Sequence, residues 1–250
     1  MPNQMLKGSV EYCIGNKPFF IFVFAQLFIF ECLFVGEGEL LKSTSLIVLL
    51  IVLGYGLKVT QDVIDGGKSL PKIKLGELVN FGLKGIVVYT FYLTIQASVL
   101  ALISFKLNFP AFDIEELILD IHETVELFYG HDPVSFIIFI SFGVVTVYIT
   151  VFFMEIALAK LAEGGKLKDA FDFRSIKHVI DVIGWKAYAI DYTKIVFAVV
   201  ILVFINHYFN SYGLIGVIIG VITDMLAFLV EYRGIGNVYS EYKLSSDLKK

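Results

Sequence analysis

Six runs of about twenty predominantly apolar residues, at 18–36, 45–64, 85–105, 134–159, 187–207 and 212–232, dominate this 250-residue chain. Each is long enough, or nearly so, to cross a hydrocarbon layer ~30 Å thick as a helix rising ~1.5 Å per residue. No single water-soluble domain hides that much apolar surface. The chain is 57% hydrophobic and 18% charged, against roughly 45–50% and 25% for soluble proteins, and only a hydrocarbon solvent makes such exposure favourable. Within lipid every backbone N–H and C=O needs an internal partner, which calls for helices. The predicted fold is therefore all-α: one polytopic membrane bundle over residues 1–250, with about six transmembrane helices plus interfacial amphipathic helices. The run that begins at Pro18 has no small-x-small cleavage pattern after it, so it is expected to stay as a span rather than leave as a signal peptide. In the second run Lys58, Gln61 and Asp62 enter the last turns, so its end is expected to emerge as helix among headgroups.

Basic residues sort strongly to one side. With the N-terminus cytoplasmic, seventeen Lys and Arg fall on the inner side and two, Lys42 and Lys106, on the outer, leaving Lys194 within a span. The positive-inside rule then places both termini in the cytoplasm of a cell-membrane protein. The net charge of −4 gives no field for capturing nucleic acid, which is not expected as a partner. Two cysteines, Cys13 and Cys32, build neither a disulfide framework nor a four-ligand metal site.

Overlaying the inner connections at an offset of 98 reveals a partial internal duplication. Asp65-Gly66-Gly67-Lys68 returns as Glu163-Gly164-Gly165-Lys166, and Ile73, Leu75 and Leu78 return as Phe171, Phe173 and Ile176. The repeated unit is span, acidic-Gly-Gly-Lys turn, interfacial helix, span, giving repeat-like units at 45–105 and 134–207. Both copies cross in the same sense, as parallel repeats do. Glycine permits a positive φ at a helix end, and the following Lys suits the negative helix terminus and an anionic leaflet. Segments 73–84 and 171–183 carry apolar stripes (Leu75, Leu78, Val79; Ile176, Val179, Ile180, Ile183) and are expected to lie flat in the headgroups. Residues 112–128 form a third amphipathic candidate on the outer side, with an acidic second face.

Gly54-Tyr55-Gly56, Leu70-Pro71, the run Glu77 to Lys84, Ala170 to Phe173 and Ile183 to Tyr188, taken together, resemble a family of multi-pass membrane proteins, mostly archaeal, known only as a domain of unknown function. More loosely, the chain resembles the membrane domain that accompanies some glycerophosphodiester phosphodiesterases, whose metal-binding catalytic half has no counterpart in this sequence. The resemblance implies a membrane location and architecture and assigns no catalytic residue.

Ionisable residues within spans carry the strongest functional signal, because hydrocarbon tolerates them only when partnered or useful. Asp191 and Lys194 stand three apart on one face of the fifth span. Asp224 on the sixth lies at a similar depth, and Glu155 on the fourth is somewhat shallower. Gln96 near the middle of the third offers a neutral partner. These four ionisable groups form a candidate intramembrane cluster: either an inner-half pocket for a polar solute, proton or headgroup, or a structural pairing of spans five and six, with Glu155 and Glu231 snorkelling to the interface. Glu31 is expected to pack as a neutral carboxyl. His122, Glu126, His131 and Asp132 have loosely metal-like spacing, but a solvated acidic face explains them better. Lys72, Lys74, Lys84, Lys166, Lys168, Arg174 and Lys177 are candidate headgroup ligands, since each basic residue near an anionic leaflet contributes ~1 kcal/mol.

Phosphate-loop, zinc-protease and nucleophile-elbow motifs are all missing. No catalytic residue, metal or cofactor is expected. The reading is a non-enzymatic membrane protein that engages lipid headgroups, or a membrane-protein partner or second copy, at the cytoplasmic face. The alternative is a permease for a small polar or lipidic solute through the inner-half pocket.

Overall fold

The computed structural model describes residues 2–16, 39–107, 133–164, 166–209 and 212–247. Over these it is helical, with no strand. Seven α-helices follow in order: α1 (Pro2–Ile14), α2 (Glu39–Ile64), α3 (Leu75–Lys106), α4 (Pro133–Ala162), α5 (Phe173–Ile183), α6 (Trp185–Phe209) and α7 (Leu214–Asp247), with a 3-10 turn, Leu167–Phe171, before α5. Five helices are long and apolar enough to cross a membrane: α2 from Leu46, α3, α4, α6, and α7 from Ile215 to Ser245. The first expected span, 18–36, and the outer segment 112–128 lie outside the described residues, as do Glu31, His122, Glu126, His131 and Asp132.

The chain forms two compact units. The larger comprises Met1–Val88 and Glu155–Lys250. Its centre is α7, packed against α6, α2, α1 and α5. Half of the most apolar stretch of α2 and of α7 is buried, so these two helices form the interior of the unit. Their contact depends on small residues: Thr60 Oγ1 donates to the Tyr232 carbonyl at 2.9 Å, and Gly236 presses on Val63 and the Thr60 carbonyl. The α2–α3 crossing is tighter still, because a Cβ at Gly54 would run into the Leu78 carbonyl and one at Gly82 into the Leu50 carbonyl. Without side chains, the backbones approach closely enough for dispersion to hold helices that no hydrophobic effect drives together in lipid.

Two expectations are revised at this level. Residues 73–84 do not form a separate interfacial helix, because α3 starts at Leu75 and runs unbroken to Lys106. The glycines at 82 and 85 lie against α2, so they serve close packing and do not break the helix. The Leu75, Leu78, Val79 stripe is split accordingly, with Leu78 fully buried and the other two exposed. The second copy does break: Gly184, at φ 95°, separates α5 from α6. Yet the apolar face of α5 does not rest in lipid, for Ile176, Val179 and Ile180 are buried in the protein. Asp172 caps this helix by accepting from the backbone N–H groups of Arg174 and Ser175 at 3.1 and 3.3 Å, the usual role of an N-cap carboxylate.

The second unit, Tyr89–Met154, packs Leu100, Ile103, Leu107 and Phe136 around Phe139. Most of its helical surface is apolar and exposed. Hydroxyls on that surface turn inward: Thr94, Ser98 and Thr146 donate to carbonyls one turn back at 2.7, 2.8 and 2.9 Å. Such back-bonding lets a polar side chain face hydrocarbon without an unmet donor.

Candidate headgroup rim and intramembrane polar groups

The two acidic-Gly-Gly-Lys turns end α2 and α4. Each needs a left-handed residue at the same point: Gly66 has φ 85° and Gly164 φ 100°. The acids before these glycines share a partner on α7, since Lys243 Nζ lies 3.2 Å from Asp65 and 3.9 Å from Glu163. Tyr239, one turn earlier, donates to Glu163 at 2.8 Å. His178 of α5 meets Tyr242 edge to face at 6.4 Å.

Around these turns stands the rim of basic residues. Lys72, Lys74, Lys166, Lys168, Arg174 and Lys177 are exposed, and Lys84 is partly so. Lys74 pairs with Glu77 at 2.8 Å, as does Lys58 at 3.0 Å. Lys177 Nζ reaches Asp181 at 3.2 Å, and Trp185 Nε1 donates to the same carboxylate at 2.7 Å. That indole bond and then the Lys177 ammonium hold the Asp181 carboxyl below its ordinary range. Among the described residues, Lys72, Lys168 and Arg174 carry no ion pair. Lys160 donates to the Ser175 hydroxyl, tying α4 to α5.

Within the spans the candidate groups take separate partners. Lys194 pairs with Asp191 of its own helix at 2.6 Å, each side chain about one-third exposed. Asp224 instead accepts from Asn206 Nδ2 of α6 at 2.7 Å, with Gly220 leaving space beside the Asn206 amide. Glu155 is 4% exposed and its carboxyl faces that of Glu231 on α7. So the structure joins Asp191 to Lys194 and sets Glu155 and Asp224 elsewhere. Asn206 was overlooked because a lone neutral amide near a span end gives no charge signal.

Sequence reading also overlooked α1, which folds against α7 and α6. Tyr12 donates to Asp62 of α2 at 2.8 Å, and Asn16 Nδ2 reaches the Leu70 carbonyl at 3.4 Å. Burial, then the Asp62 bond, raises the Tyr12 phenol above its usual range, and burial pushes the Cys13 thiol up to about 11. On the same helix Gly8 lies against the guanidinium of Arg233, whose Cζ stands 5.7 Å from the Tyr12 ring centre. The signal was present in the spacing of Ser9, Tyr12 and Cys13, all buried on one face, though thirteen residues with few strong apolar groups gave it little weight.

Five apolar helices, with a basic rim where α2 and α4 end, define a multi-pass α-helical membrane protein. Over residues 40–230 the chain matches the family described as a protein of unknown function (DUF4013), and it belongs to that family. Neither the curated proteins nor the solved structures yielded a match.

Proposed function

We propose that this protein is a non-enzymatic membrane module that engages anionic lipid headgroups at the cytoplasmic face through its basic rim. The observation that carries this reading is the exposure of six of the seven candidate cations around the two Gly-Gly turns, with Lys72, Lys168 and Arg174 in no ion pair among the described residues. Phe173 and Trp185 are also exposed, at 47% and 44%, and flank α5 where aromatic side chains suit a headgroup layer. On this reading both termini lie in the cytoplasm. The same reading takes 45–105 and 134–207 as duplicated units. It is supported by the matching left-handed glycines and by Lys243, which reaches the equivalent acid in each copy.

Trp185 is the sole tryptophan of the chain, so its fluorescence reports the lipids beside α5. In reconstituted vesicles, brominated phosphatidylglycerol is expected to quench Trp185 more than brominated phosphatidylcholine at equal mole fraction. The combined change Lys168→Ser, Arg174→Ser, Lys177→Ser is expected to abolish that preference. Equal quenching by both lipids in the unaltered protein would contradict the reading. A permease is the rival, and the buried Glu155 carboxyl facing that of Glu231 is the observation in its favour. Solute uptake into vesicles that Glu155→Gln abolishes without unfolding would establish it instead.

A further inference from the structure

We propose that Arg233, where α1 crosses α7, is a seat for a phosphate group of a membrane phospholipid. The proposal rests on the headgroup reading above and names a specific grip distinct from the rim. A guanidinium offers five N–H donors in a planar fork that fits phosphate oxygens in pairs, and it stays charged at any ordinary pH. Near hydrocarbon such a group is kept only if partnered or in use. Yet among the described residues Arg233 makes no hydrogen bond or ion pair, and its one recorded partner is the face of the Tyr12 ring at 5.7 Å.

The acids beside Tyr12 and on α1 have other partners. Asp62 accepts from Tyr12 at 2.8 Å, and Lys7 approaches Glu11 at 3.9 Å. Glu11 lies close enough for its charge to be felt at Arg233 but beyond ion-pairing distance. The guanidinium is therefore positioned by a ring on one side and by bare backbone on another: a Cβ at Gly8 would stand 2.7 Å from Nη1 and 3.0 Å from Nη2. A side chain at residue 8 would occupy the space in which the fork lies. Depth also agrees. Arg233 follows Tyr232, whose carbonyl accepts from Thr60, and Thr60 is one turn, ~6 Å, from the end of α2. A long side chain at that level reaches the phosphate layer while its stem stays among apolar groups.

Phosphate in this position has two sources, a lipid phosphodiester or a free phosphate. The test uses the delipidated full-length protein in detergent, with native mass spectrometry after addition of phosphatidylglycerol, phosphatidylcholine or diacylglycerol, and thermal unfolding in millimolar inorganic phosphate. Both phospholipids are expected to be retained at one per chain and diacylglycerol is not, because the phosphate is the shared feature. Arg233→Gln is expected to weaken retention by about 10- to 100-fold, the effect of losing charge-assisted hydrogen bonds, with Arg233→Lys between. Gly8→Ala keeps the charge but displaces the fork, and it should weaken retention as well. If Arg233→Gln does not fold, Arg233→Lys and Gly8→Ala carry the test.

Retention at the unaltered level in those variants would leave Arg233 a merely solvated cation and overturn the proposal. Protection by inorganic phosphate that depends on Arg233, without phospholipid retention, would overturn the lipid as source. The rim triple variant separates the two readings, since it should lose the Trp185 quenching preference and still retain one phospholipid. Loss of the preference with unaltered retention in Arg233→Gln sinks this seat alone. Retention that depends on Arg233 with no quenching preference sinks the rim alone.

Discussion

Asp181 holds two donors, the Trp185 indole at 2.7 Å and the Lys177 ammonium at 3.2 Å, and both favour the ionised form. Its carboxyl in the folded protein therefore titrates below the ordinary value of 3.8. A group depressed in this way contributes stability above the unfolded value and loses it as pH falls through the folded one. Trp185 emission is expected to change with a midpoint below pH 3.8, and Asp181→Asn, which keeps an acceptor oxygen, is expected to remove that transition. Side-chain partners one helical turn apart, such as Asp191 with Lys194, were legible from spacing alone because the helix dictates which residues share a face. Partners on different helices were not. Asp224 meets Asn206 and Glu155 meets Glu231 because of how α6 and α4 are set against α7, and neither rotation nor offset is encoded in a hydropathy pattern.

Helix pairs in this protein are governed by where side chains are missing. Gly82 and Gly143 look alike in sequence, each in the interior of an apolar helix. Only the first faces another backbone, the Leu50 carbonyl, whereas a Cβ at Gly143 would meet nothing nearer than Leu100 Cδ2 at 3.8 Å. Gly82→Ala is thus expected to destabilise by about 1–3 kcal/mol, as overpacking does. Gly143→Ala is expected to be neutral or to stabilise by about 0.5–1 kcal/mol, because glycine is a poor helix former. Thermal or denaturant unfolding in one detergent compares the pair directly. Apolar run length located α2, α3, α4, α6 and α7 but misjudged their ends: α3 begins at Leu75 where the run begins at 85, and α7 reaches Asp247 where the run ends at 232. Residues after Tyr232 continue α7 to Asp247, since Ile235, Val238 and Tyr239 are buried against the protein. Hydropathy averaged over a window does not distinguish such a protein-covered helix from a loop.

At the scale of the molecule the charge asymmetry predicts which side is reached. Lys72→Cys and Lys168→Cys, each placed alone in a chain lacking both native cysteines, are expected to resist an impermeant maleimide in intact cells and to react once the membrane is opened. Cys13 contributes little background even if kept, because burial and a thiol pushed up to about 11 leave scant thiolate. Labelling of both positions from outside would invert the topology and detach the rim from the cytoplasmic leaflet. The five crossing helices differ in how much they cover: half of the most apolar stretch is buried in α2 and α7, but 11% in α3 and α4. α3 and α4 thus offer most of their surface to lipid, which accounts for their dense exposed Ile, Val and Phe.

Amino-acid order alone determined the solvent, the helical class, the spans of α2, α3, α4, α6 and α7, and the matched Gly-Gly turns. Each of these follows from local energetics: the transfer of apolar side chains, backbone groups that must pair within their own segment, and the φ freedom of glycine. Tertiary structure decided that residues 73–84 begin a span, that the apolar face of α5 packs on protein, that α1 docks on α7, and that Arg233 forms no ion pair among the described residues. Those outcomes depend on which helix face meets which neighbour at what depth, and that choice is made by close packing among several helices at once.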